Sequence, residues 1–96
     1  MTTKAPQPKR AVIRADCRSI EEVYDILVRD LALPAHFGRN LDALHDALTG
    51  DVEGPFEIAV MNPAALAKAL GARGSALLKL LRDVQKARPD ATIALG

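Results

Sequence analysis

Apolar positions recur along this chain with two periods, and the switches between them outline the elements. Residues 10–15 (RAVIRA) form a short run with β-branched members, read as a first strand. Ile20, Val23, Tyr24, Leu27 and Leu31 then fall on one face of a helix ending near Leu31. Ser19 and Glu22 stand at the spacing of a capping box at its start. Pro34 and Gly38 punctuate a loop, after which Leu41, Leu44 and Leu48 give a second core-facing stripe at i, i+3 and i+7. Asn40 suits the N-cap of that short helix and Gly50 a left-handed residue closing it.

Residues 56–61 (FEIAVM) read as a second, buried strand after the Gly54-Pro55 turn. Asn62-Pro63 opens a helix that should stop at Gly71. Gly74-Ser75 is expected to open the last helix, with Leu77, Leu78, Leu81 and Val84 as its core arc and Asp83 just outside it. Pro89 stops that helix and residues 91–95 (ATIAL) make a last strand. Strands alternating with helices predict an α/β fold, a three-stranded parallel sheet with flanking helices, because parallel neighbours need crossover connections.

With 96 residues there is material for one core, and the expected division is a disordered tail over 1–9 and one domain over 10–96. One cysteine, Cys17, excludes an internal disulfide. The chain lacks a signal-like apolar run and a stretch of membrane-spanning length, so the expected setting is the cytoplasm.

Charge changes the picture more. The formal net charge is +1, but Lys4, Lys9 and Arg10 all lie in the first ten residues. Residues 40–67 contain no Lys or Arg, yet hold Asp42, Asp46, Asp51, Glu53 and Glu57. Such a one-sign patch favours a basic partner and repels nucleic acid. On the short helix Asp42, His45, Asp46 and Thr49 share the face opposite the leucines. Asp42 sits where the helix dipole favours an anion. Asp46 lies in or next to the last turn, where the dipole opposes one.

Enzyme chemistry finds little support. Asp42, His45 and His36 lack committed metal-ligand spacing, so no metal site is expected. Cys17 precedes a helix N-terminus, which can lower a thiol pKa, but a turn position accounts for it. Two carboxylates on an exposed helix have no low-dielectric pocket to tune them for acid–base work. No cofactor is called for.

The stretch LALPAHFGRNLDALHDALTG (residues 31–50) closely resembles the matching part of the barstar family, intracellular inhibitors of ribonuclease. The likeness runs from Arg10 to Gly96 through AVI, RSI, the Thr49–Pro55 turn, Arg82-Asp83 and the closing DATIAL. It implies that the short helix and its preceding loop plug the active site of a basic ribonuclease, one to one, with the free protein a monomer. Carried over residue by residue, Asp46 would occupy the nuclease's phosphate site and meet its arginines and catalytic histidine. Asp42 would be a second acidic contact, and Asp83 one supplied by the last helix. The implied surface also takes in His36, Phe37, Gly38, Arg39, Asn40, Ala43, His45, Thr49 and Gly50. His36 and His45 stand where barstar presents a tyrosine and a tryptophan, and Arg39 where it is acidic. A second reading is a barstar-like interaction module that regulates a basic partner other than a nuclease.

Overall fold

The structure, a computed structural model, describes residues 9–34 and 36–95. Of the tail expected over residues 1–9, residues 1–8 lie outside them, as does the loop residue Ala35, whereas Lys9 belongs to the first strand. The first strand, β1, is Lys9–Ile13, starting one residue earlier than the pattern suggested and stopping two earlier, since residues 14–16 turn outward and are exposed. Helix α1 (Ile20–Leu31) begins with Ser19 accepting from the Glu22 N–H at 3.3 Å. The reciprocal half of the box is displaced: Glu22 Oε2 accepts from the N–H of Arg18, not of Ser19, at 3.3 Å. Ala32 closes the helix in the left-handed region at φ 54°, a conformation a Cβ disfavours.

Helix α2 (Leu41–Asp46) runs into a π-helical turn, Ala47–Asp51, before strand β2 (Phe56–Val60). Helix α3 (Pro63–Leu70) carries its proline in the first turn and Asn62 as cap, and ends at Gly71, φ 67°. Helix α4 (Ala72–Ala87) follows at once and leads to strand β3 (Ala91–Leu95). The expectation that Gly74 opens α4 is corrected. Gly74 lies inside the first turn, where an added Cβ would stand 2.9 Å from Ala67 Cα, so the glycine lets α3 and α4 approach.

The three strands form one parallel sheet with β2 in the centre, Ile58 opposite both Ala11 and Ile93. Ala11, Ile13, Phe56, Ile58, Val60, Ala91 and Ile93 are buried on one face. They meet Val23, Leu27 and Leu31 of α1, Leu44 and Leu48 after the loop, and Leu77, Leu81 and Val84 of α4 in a single core. Each buried leucine or isoleucine of this kind contributes roughly 1.5–3 kcal/mol over its exposed state. Helices α1 and α4 pack on β1 and β3, and α2 is braced from behind by α4.

Candidate partner-binding site

The polar face of α2 is positioned by what its other side buries. Leu44, Ala47 and Leu48 are inaccessible, and Leu41 is half-buried rather than fully in the core. At its start Asn40, extended at φ −143°, accepts from the Ala43 N–H at 2.7 Å. Asp42, Asp46 and Asp51 are exposed. Thr49 is half-buried and its hydroxyl donates to the His45 carbonyl at 2.7 Å. Ala43 and His45 are also half-buried, so the outward face is made chiefly by the carboxylates.

One expectation about this helix is corrected and a second is narrowed. Gly50 does not close it in the left-handed region; it lies within the π-helical turn and a Cβ there would meet nothing within 4 Å. The run ends instead at Val52, whose N–H donates to Ala47 O at 2.9 Å and whose backbone is extended. Asp46, correspondingly, lies next to the final turn rather than in it, one of the two places expected for it. Helical backbone continues five residues beyond it, so the dipole penalty expected for it is largely removed.

The open carbonyl end of this run is held by a residue far along the chain. Arg88 Nη1 donates to Val52 O at 2.6 Å and Leu48 O at 3.1 Å. Its Nε and Nη2 grip Asp90 at 3.0 and 2.7 Å, and its guanidinium lies 5.0 Å from the Phe56 ring centroid. Those hydrogen bonds hold the Asp90 carboxyl below the usual carboxylate range.

The loop before α2 is pinned to α1. Phe37 packs edge-on against Tyr24, with centroids 5.5 Å apart and rings at 82°. Its N–H closes a turn onto Pro34 O at 2.9 Å. Arg39, in the left-handed region at φ 52°, turns back: Nη2 reaches Asp25 Oδ1 at 2.7 Å and Glu21 O at 3.2 Å, and its guanidinium lies 5.7 Å from the Tyr24 centroid. The cation that interrupts the acidic surface in sequence is therefore already paired in space. Gly38 and His36 are exposed, and the Gly38 carbonyl accepts from Asn40 Nδ2 at 3.3 Å.

These elements leave two depressions, one on each side of α2. A cleft of about 220 Å³ is lined by His36, Phe37, Gly38, Ala43, Asp46 and Asp51, among others. Asp42 faces the other, a groove of about 320 Å³ shared with Glu21, Tyr24, Arg39, Asn40 and Arg73. The two central carboxylates thus serve adjacent hollows rather than one. Asp83 is exposed on α4 and lines neither. Asp51 was not in the set carried over from the resemblance, although the cation-free interval contains it. A face read at spacings of three and four passes over the fifth residue.

Among the described residues Asp42 and Asp51 have no ion-pair partner, and Asp46 has only His45, Nδ1 to Oδ1 at 4.0 Å. Glu57, by contrast, does not belong to this surface. It pairs with Arg10, its register partner in β1, at 3.3 Å. Among the described residues no three His, Cys, Asp or Glu side chains are grouped to hold a metal. No helix among them is long and apolar enough to cross a membrane. Cys17 is buried, and desolvation pushes its thiol upward, opposite to the helix-terminus activation considered from sequence.

The chain is similar to known proteins. Residues 9–95 match the protein family described as Barstar (barnase inhibitor). A Bacillus subtilis (strain 168) protein named "Putative ribonuclease inhibitor YrdF" is 35% identical over 75 residues, covering 78% of this chain and 82% of that one.

Proposed function

This chain belongs to the barstar family, and we propose that it inhibits a basic ribonuclease by filling the enzyme's active site with the acidic face of α2 and the loop before it. A ribonuclease site is built to bind anionic phosphate, and arginine accepts a carboxylate with the same fork geometry. A carboxylate held on a rigid element can therefore replace the phosphate. The observation that carries the reading is the state of the three aspartates. They are exposed, unpaired by any lysine or arginine among the described residues, and set on a run fixed at both ends by Asn40 and Arg88.

In this reading Asp46 enters the phosphate position and Asp42 makes a second acidic contact. His36, Phe37, Gly38, Arg39 and Asn40 form the loop side of the interface. Ala43, His45, Thr49 and Gly50 form its helix side, and Asp83 contributes from α4. The protein acts as a monomer binding one nuclease in the cytoplasm, uses no cofactor, and has no catalytic activity of its own.

The test is capture on the immobilised chain from extract and culture medium of the source cells, followed by RNA-cleavage assays on what is bound. The expected partner is a small basic protein that cleaves RNA until one equivalent of free inhibitor is added. A basic partner without nuclease activity would transfer the protein to the interaction-module reading.

A further inference from the structure

The π-helical turn after α2 changes which side chains share a face. In an α-helix of 3.6 residues per turn, a residue five positions on lies about 140° round the axis. Asp51 would then point well away from Asp46. Here the ladder widens, with Val52 donating across five residues to Ala47 O at 2.9 Å. Asp46 and Asp51 consequently line one cleft, with Pro34 and Phe37 contributing the apolar side. Single-turn π segments inside helices are frequent at functional sites.

We propose that Asp51 is a second anionic contact beside Asp46, and that the cleft between them and Phe37 receives one arginine side chain of the target nuclease. The inference rests on the ribonuclease-inhibitor reading and names the chemistry that its central cleft takes. Both carboxylates are exposed, and neither meets a lysine or arginine among the described residues. The guanidiniums that hold the neighbouring loop and turn are occupied elsewhere, Arg39 on Asp25 and Arg88 on Asp90 and the carbonyls of Leu48 and Val52.

The space of about 220 Å³ accommodates the end of a long side chain. An arginine matches it better than a lysine for two reasons. Its planar fork offers separate donor pairs to two carboxylates, and its flat face stacks on an aromatic wall. That wall is already fixed, because Phe37 is held against Tyr24. Less side-chain freedom is then lost on binding.

Two measurements test this. In the first, the ¹⁵N-labelled protein is titrated with N-acetyl-argininamide and, separately, with N-acetyl-lysinamide. Amide shifts are expected at Phe37, Gly38, Asp46 and Asp51, larger for the arginine compound and reduced at least threefold in Asp51→Asn. Equal responses to both compounds, or a response unaltered by Asp51→Asn, would overturn the arginine cleft. In the second, the ribonuclease recovered by capture is titrated with wild type, Asp51→Asn and Asp46→Ala. Asp51→Asn should weaken binding about tenfold while its melting temperature stays within about 2 °C of wild type, Asp51 being exposed. Loss of binding in Asp46→Ala with less than a twofold change in Asp51→Asn refutes the present inference and leaves the inhibitor reading standing. No effect of either substitution, or no ribonuclease recovered, removes both.

Discussion

Replacing Arg88 with alanine removes a side chain that ties the carbonyl end of the binding element to the strand end at Asp90. Its bonds to Val52 O at 2.6 Å and Leu48 O at 3.1 Å are charge-assisted, a class contributing about 1.5–3 kcal/mol each. The arginine side chain is only 16% exposed, so water replaces these bonds incompletely when it is removed. Taking the lower figure for each bond gives a loss of about 3 kcal/mol. The guanidinium–Phe56 contact adds a smaller amount. For a domain of this size that loss lowers the melting temperature by roughly 12–24 °C. Urea denaturation followed by circular dichroism measures it, and amide hydrogen exchange locates it. The Val52 N–H, bonded to Ala47 O, should gain exchange more than the central β2 amides do. Arg88→Lys should recover less than half, since an ammonium cannot span two carbonyls and a carboxylate as the fork does. A change under about 0.5 kcal/mol in Arg88→Ala, or uniform exchange, would refute the reasoning.

Gly50→Ala should raise stability by about 0.5–1 kcal/mol in thermal melts, because the backbone is helical and the added methyl meets nothing; Gly74→Ala should lower it by about 1–3 kcal/mol through the clash with Ala67. Arg39→Ala should cost little global stability, since its pair with Asp25 is exposed, yet slow association with the nuclease by loosening the loop; an unchanged association rate in stopped flow would contradict that. The carboxyl of Asp90 is held low in the folded state by Arg88, so its stabilising contribution is present above the unfolded value near pH 4 and lost as pH falls through the folded one. Wild type should accordingly exceed Asp90→Asn in urea midpoint at pH 7, and the difference should shrink as pH falls below about 4.

Much of the fold was legible because its determinants are local. Ser19, Asn40 and Asn62 each cap the helix that follows them, and Gly71 ends α3, as their types and spacing require. The short β-branched runs became the strands because only an extended, buried segment uses them well. What escaped the sequence depends on partners far along the chain. Gly50 resembled a terminator because glycine after a leucine stripe usually is one. The helical run nevertheless continues past it, its carbonyls satisfied by Arg88, nearly forty residues on. Arg39 stands where barstar is acidic, and nothing local in the sequence shows that Asp25 takes up its charge. Asp51 was missed as a cleft residue because the sequence does not announce a change from i+4 to i+5 bonding.

The central claim is that Asp46 acts on a partner and not on the fold, and Asp46→Ala examines it most directly in two assays. Its side chain is 86% exposed, and the helical backbone extends past it, so the free domain should keep its stability within about 0.5 kcal/mol. In the complex, removing the carboxylate leaves the nuclease's arginines desolvated and unpaired. A loss of ~2 kcal/mol or more is then expected, a magnitude taken from alanine scans of interfaces, barnase–barstar among them. That is at least ~30-fold in inhibition constant against the captured ribonuclease. Unchanged melting with inhibition weakened to that degree is the expected result; lost stability with inhibition retained would make Asp46 a structural residue and contradict the account.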